Sequence, residues 1–292
     1  MLRPVFSFAL LGGLLALSPA VQAQYDPNAA NRLVRPLELW PELQAELGLK
    51  NGDYLLLSLH GERVANRPDF GYYVRRPLGL DTRRVALAYE HFWNANWSWG
   101  ATARYEWDGR FETNTPGDLL VPELLLRHRA TIFGGLTFGQ RLGVERQILV
   151  NRYYLGGSGP DGQFWTRLRL DVERIFPLGS ASQGLALRPR LSYVASTHLR
   201  FQKSDTDAPE RTIQWTSLRG EVGVRVSPAI DFTPWFAYQT GYRQSLVFTD
   251  ANGNPVSGGK ANDVYPTLGL DVRFTISNAT AKTERVQLPT QH

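Results

Sequence analysis

The chain has 292 residues, no cysteine, 20% charged residues and a net charge of +5 spread along its length. Disulfides and thiolate metal sites are therefore excluded, and so weak and scattered a basic excess argues against nucleic acid as a partner. Beyond the first two dozen residues, no apolar run reaches the roughly 20 residues that a membrane-crossing helix needs.

At the N-terminus, Arg3 precedes an apolar run over residues 5–17, then Ser18-Pro19 and the small-residue site Val21-Gln22-Ala23. This is a signal-peptide layout with cleavage expected between Ala23 and Gln24, because about 13 apolar residues are too few to anchor the chain. The expected division is a signal peptide over 1–23, an N-terminal segment over 24–36, a β-barrel over 37–276 and a polar tail over 277–292.

From residue 37 the pattern alternates with period two, as a strand with one apolar face requires, rather than with the 3.6 of a helix. Over 37–49, Leu37, Leu39, Leu43, Ala45, Leu47 and Leu49 oppose Glu38, Trp40, Glu42, Gln44 and Glu46. Over 97–107, Trp97, Trp99, Ala101, Ala103, Tyr105 and Trp107 oppose Ser98, Gly100, Thr102, Arg104 and Glu106. Over 164–174, Phe164, Leu168, Leu170 and Val172 oppose Trp165, Arg167, Arg169, Asp171 and Glu173. The last segment, 263–276, places Val264, Leu268, Leu270, Val272, Phe274 and Ile276 together. A charged face of this kind suits a water-filled or ion-paired barrel interior, or the solvated face of a soluble periplasmic β-protein.

Connection lengths alternate too. Short links at 50–53, 94–96, 133–135, 177–184 and 227–229 separate long polar stretches at 65–82, 108–118, 148–162, 197–211 and 246–262, the arrangement of periplasmic turns and external loops. Eleven segments are clear. An even number is usual for bacterial single-chain barrels, so about 12 strands are expected, with an ascending strand sought among residues 31–36. Pro41, Pro122, Pro189, Pro234 and Pro266 fall inside predicted strands, where each removes a ladder donor. Trp93, Trp97, Trp107 and Tyr242 stand at predicted strand ends, as in the aromatic girdles of membrane barrels.

The segments "LELWPELQAEL", "VPELLLRHRATIFGGLTFGQRLGVERQ", "FWTRLRLDVERIFPLG", "LRPRLSYVA" and "YPTLGLDVRFTIS" resemble the outer-membrane barrels grouped as domain of unknown function 2490, over about 37–276. The resemblance implies an outer-membrane location and arginine–glutamate pairs on lumen-facing positions. It implies no catalytic motif.

The candidate site is the inward ring of Glu123, Arg127, Arg129, Arg141, Glu145, Arg167, Arg169, Asp171, Glu173, Arg188, Arg190, Arg219, Glu221, Arg225, Asp271 and Arg273. Such a ring either sets the selectivity of a narrow passive pore for small polar solutes or braces the interior through paired charges; mixed signs favour bracing. A lipid acyl hydrolase or acyltransferase would instead need a histidine beside a serine and a polar orienter. His91 and His128 fall on the lipid-facing side, His60 falls inward, and His198 lies near a loop after Ser196; no serine at a matching offset and no lipase motif accompanies them. Asp250, Asn252 and Asn254 imitate the start of a calcium loop, but Ala261 occupies the closing position, and Gly156 to Gly162 lacks the lysine of a phosphate loop. The expectation is an all-β, antiparallel transmembrane barrel, non-enzymatic, with no cofactor or metal, whose partners are outer-membrane lipids and the barrel-assembly machinery.

Overall fold

A computed structural model describes residues 30–49, 51–65, 77–110, 116–152, 162–178, 185–199, 210–253 and 255–277. The expected signal segment with Ala23 and Gln24, the expected polar tail from residue 278, and nearly all of the glycine-rich stretch 156–162 lie outside them. The strands are β1 (Asn31–Val34), β2 (Glu38–Gly48), β3 (Tyr54–Val64), β4 (Thr82–Phe92), β5 (Trp97–Arg110), β6 (Pro116–Thr131), β7 (Leu136–Arg152), β8 (Gly162–Arg174), β9 (Phe176–Pro177), β10 (Ala186–Leu199), β11 (Trp215–Ser227), β12 (Ile230–Thr249) and β13 (Pro255–Ser277). Among the described residues, no helix is long and apolar enough to cross a membrane, which says nothing of strands.

Eleven long strands, β2 to β8 and β10 to β13, pair in sequence and close into a ring through β13 and β2. Neighbours along the chain run antiparallel, so an odd number of strands brings the last back in the direction of the first. The closing seam is accordingly parallel, from Thr267 opposite Glu38 to Ser277 opposite Gly48. The short β1 also lies parallel on β13, with Asn31 opposite Ala261. It extends β2 past the Pro36 break: a strand does lie among residues 31–36 but runs in the direction of β2 instead of ascending, and a ring of eleven strands with this short addition fits the expected antiparallel barrel of about 12 while departing from an even count. Parallel ladders are slightly weaker per residue than antiparallel ones. Side chains clamp this one: Arg273 donates to Gln44 Oε1 at 2.6 Å and to Glu46 Oε2 at 3.1 Å, and Arg35 meets Asp263 at 2.9 Å.

The five prolines expected inside strands each coincide with a gap in one neighbouring ladder. Pro41 lies between the pairs Leu39–Arg63 and Glu42–His60, Pro122 between Leu120–Ile148 and Glu123–Glu145, and Pro234 between Glu221–Trp235 and Val224–Phe232. Pro189 sits just past the last β8 pair, Arg190–Glu173, and Pro266 falls between the end of β1 pairing at Val264 and the start of β2 pairing at Thr267. Each missing donor therefore faces a place where no ladder bond is made, which reconciles the prolines with a closed ring.

The long-loop end differs from expectation at 246–262, which is mostly strand: β12 runs to Thr249 and β13 resumes at Pro255 around a turn at Asp250, whose side chain accepts from Asn252 N at 2.9 Å. The apparent calcium-loop residues Asp250 and Asn252 are thus the corner of a hairpin. The links at 94–96, 133–135 and 227–229 form tight turns. Between β6 and β7, Gly134 and Gly135 both take positive φ (64° and 74°), which side chains with a Cβ resist.

In the turn before β3, Asp53 is buried and accepts hydrogen bonds from Asn51 Nδ2 at 2.6 Å and from the Tyr89 hydroxyl, and it contacts His91 Nδ1 at 2.8 Å. Burial alone would push the Asp53 carboxyl up, but the Tyr89 and His91 hydrogen bonds outweigh it and hold it below the usual carboxylate range. A folded-state pKa below the unfolded one stabilises above the unfolded value of about 4 and loses that stabilisation as pH falls through the folded value. Asp53→Asn is therefore expected to lower the unfolding midpoint at neutral pH and to make it fall less steeply under acid. Denaturation midpoints measured across the acidic range, wild type against variant, check this; parallel curves would refute it.

Candidate functional site

Alternation places one row of each strand inside the ring, and those rows carry the charge. Every residue of the ring expected from Glu123 to Arg273 lies on an inward row; most are buried, with Arg129, Arg167 and Arg225 half-buried toward the ends. Glu46 is 0% exposed and Arg190 3%. Charges so enclosed are tolerable only when paired and hydrogen-bonded.

The pairs join into two belts. One runs from β2 to β8: His60 meets Glu42 at 3.1 Å and Glu62 at 3.5 Å, Arg84 joins Glu62 at 3.3 Å to Glu106 at 2.9 Å, and Arg104 joins Glu106 at 2.6 Å to Glu145 at 3.3 Å. Arg167 ends it on Glu145 at 3.3 Å. The other runs from β6 through β8, β10 and β11 to β13. Arg129 pairs with Glu173, Arg190 joins Glu173 at 2.5 Å to Glu221 at 2.9 Å, and Arg219 joins Glu221 at 2.7 Å to Asp271 at 2.8 Å. Two further pairs, Arg127–Glu90 at 2.6 Å and Arg141–Glu123 at 2.7 Å, fill the wall between them. Arg188 approaches Glu173 at 4.0 Å, and Arg225 pairs with Asp231 at 3.2 Å near the β11–β12 turn.

Small inward residues make room for the large ones. A Cβ at Gly139 would fall on the Asp171 carboxylate, at Gly143 on that of Glu123, and at Gly269 on the Trp235 indole. Trp235 Nε1 donates to Asp271 at 2.7 Å, and the Arg219 guanidinium lies 4.0 Å from the centre of its ring. Trp40 meets both His60 and Trp235 edge-on, at 5.1 and 5.9 Å. The interior is thus packed with complementary side chains.

Glu42, His60, Glu62, Arg84, Glu90, Arg104 and Glu106 belong to this lattice as much as the residues of the expected ring. The same period-two rule marks all of them as inward, and they extend the ring expected from Glu123 onward to the first four ring strands, β2 to β5. Of the other histidines, His91 lies beside Asp53 on the outer side, His128 packs on Trp97 with ring centres 4.5 Å apart, and His198 stacks on Trp165 at 5.4 Å and meets Glu210 at 3.6 Å.

The outward rows are the converse. Leu43, Leu57, Leu87, Leu124, Leu142, Leu168, Leu191, Leu218, Phe236 and Leu270 are exposed around the ring, Leu124 at 66%. No known protein family, curated protein or solved structure matches the chain.

Proposed function

We propose that the chain is an outer-membrane β-barrel protein with a lumen closed by ion-paired side chains, and that its role is structural rather than catalytic or conductive. The observation that carries this reading is the inside-out distribution of polarity: buried, paired charge within the ring and exposed apolar side chains around it. A water-facing wall of that kind would be an aggregation surface, whereas hydrocarbon solvates it. The outward row of β13 from Val264 to Ile276 spans about 40 Å along the strand, or about 30 Å once tilted, enough for an apolar band about 25 Å tall. The short turns then face the periplasm and the long loops the exterior. Trp93 and Trp97 stand at the first boundary, Trp107 and Tyr242 at the second. Export by a cleaved signal peptide, insertion by the barrel-assembly machinery and kinship with the domain of unknown function 2490 barrels belong to the same proposal.

Planar-bilayer recording of the purified full-length protein tests the closed lumen. The expected result is no steady conductance above the lipid background. Reproducible conductance steps from the wild-type protein would favour instead a narrow passive pore, with the two belts as its selectivity-setting wall.

A further inference from the structure

At the long-loop end, the outer wall carries a groove of about 330 Å³ between Tyr193, Arg211, Thr212, Ile213, Thr216 and Tyr242. Its position follows from the register. Tyr193 is opposite Leu218, Ala195 opposite Thr216, and Thr216 opposite Thr240, all on outward rows. Below Thr216 the outward row of β11 is apolar, through Leu218, Val222, Val224 and Val226; above it the chain turns polar. The groove therefore sits where the apolar band ends. Residues 211–213 are held against the wall by Thr197 Oγ1, which donates to the Thr212 carbonyl, and Thr216 shares a hydrogen bond with the Tyr242 hydroxyl at 3.1 Å.

Arg211 lies over the Tyr242 ring at 5.5 Å, and its Nη1 is buried with no hydrogen-bond partner among the described residues. That nitrogen lacks an acceptor among the described residues, and the planar fork of a guanidinium matches a phosphate. Three more outward arginines at this end lie over aromatic rings: Arg32 over Tyr238, Arg83 over Trp107 and Arg146 over Phe164, at 5.7, 5.8 and 5.3 Å. Of the carboxylates described at this end, Asp118 is buried and accepts from the Tyr105 hydroxyl, Asp81 is buried and accepts from Val64 N, and Glu210, beside Arg211, meets His198 at 3.6 Å. The rim is thus a cationic belt on an aromatic one, at headgroup height.

We infer that the groove is a binding site for an anionic membrane lipid, its phosphate on Arg211 and the start of an acyl chain across Tyr193 and Ile213. The inference rests on the membrane reading above. Charge complementarity selects the headgroup, and the apolar wall directly below selects a lipid over a soluble phosphate compound.

The test reconstitutes the full chain in vesicles of equal parts phosphatidylglycerol and phosphatidylcholine, extracts it in mild detergent and weighs it by native mass spectrometry. The wild type is expected to retain phosphatidylglycerol in preference to phosphatidylcholine. Arg211→Gln is expected to reduce that retention about fivefold, as the loss of a charge-assisted pair implies. Ile213→Glu, which puts a carboxylate in the groove, is expected to do the same. Equal retention of both lipids by the wild type, or unchanged retention in both variants, overturns the site. Unboiled and boiled gel mobility of the same samples separates the two levels. A heat-modifiable barrel with unchanged lipid retention removes only the groove, whereas a water-soluble wild type with no mobility shift removes the membrane reading itself.

Discussion

Replacing Arg190 with Met is expected to lower the free energy of unfolding by about 3–5 kcal/mol, the range for removing one partner of a buried ion pair. Arg190 holds Glu173 at 2.5 Å and Glu221 at 2.9 Å and lies 3.7 Å from Asp171, so its loss removes the one cation that bridges all three carboxylates and leaves Glu173 to Arg129 and Arg188 and Glu221 to Arg219, one positive charge short in a closed interior. The apolar replacement keeps most of the volume, which makes uncompensated charge the main cost. Adding Glu173→Gln should restore part of the loss by removing one of the stranded charges. Urea titration of the detergent-solubilised protein, followed by tryptophan fluorescence, measures both. Arg225→Met provides the contrast: Arg225 is half-buried at the rim and pairs with Asp231 at 3.2 Å, so its replacement should cost clearly less. Equal midpoints for the two single variants would mean that the belts do not carry the stability assigned to them.

Gly269→Val is expected to cost about 3 kcal/mol or more, through a different mechanism. Gly269 stands opposite Trp235 on β12 and opposite Trp40 across the parallel seam. A Cβ there would occupy the space of the Trp235 indole. Displacing that ring breaks its 2.7 Å bond to Asp271 and its stack beneath Arg219, and with them the end of one belt beside the closing ladder. The readout is the temperature at which the compact unboiled gel species converts to the slower form, which should drop markedly. Gly220→Ala is the control: an added Cβ meets nothing within 4 Å on the outward row of β11, so the change should stay within about 0.5 kcal/mol. A Gly269→Val conversion temperature like that of the control would refute the assigned packing.

How much of this was legible beforehand depends on the physical range of each feature. Which side of the wall a residue occupies is local, because successive side chains in a strand point to opposite faces. Leu43 and Glu42, Leu168 and Arg169, and Leu270 and Asp271 separate on that rule alone. The same rule places the arginines of the outer rim, although nothing local reveals that Arg211, in a loop, lies back over Tyr242. Turn chemistry is also local, hence the short links at Asn51-Gly52 and Gly134-Gly135.

Closure is not local. Whether eleven segments meet by a parallel seam or wait for a twelfth depends on β13 finding β2 more than 200 positions away, and the short segment at residues 31–34 gives no sign of its direction until it lies on β13. The prolines were ambiguous for a related reason: a missing donor matters only if a neighbour would have used it, and the neighbours are known only once the ring is drawn.

The amino-acid sequence by itself determined an alternating all-β chain with charge on one side of each strand and apolar groups on the other, because period two is a property of the backbone. Only the tertiary structure decided that the charged rows face one another closely enough to pair into belts and fill the interior. Pairing is a matter of a few ångströms between strands, and no single strand contains that distance.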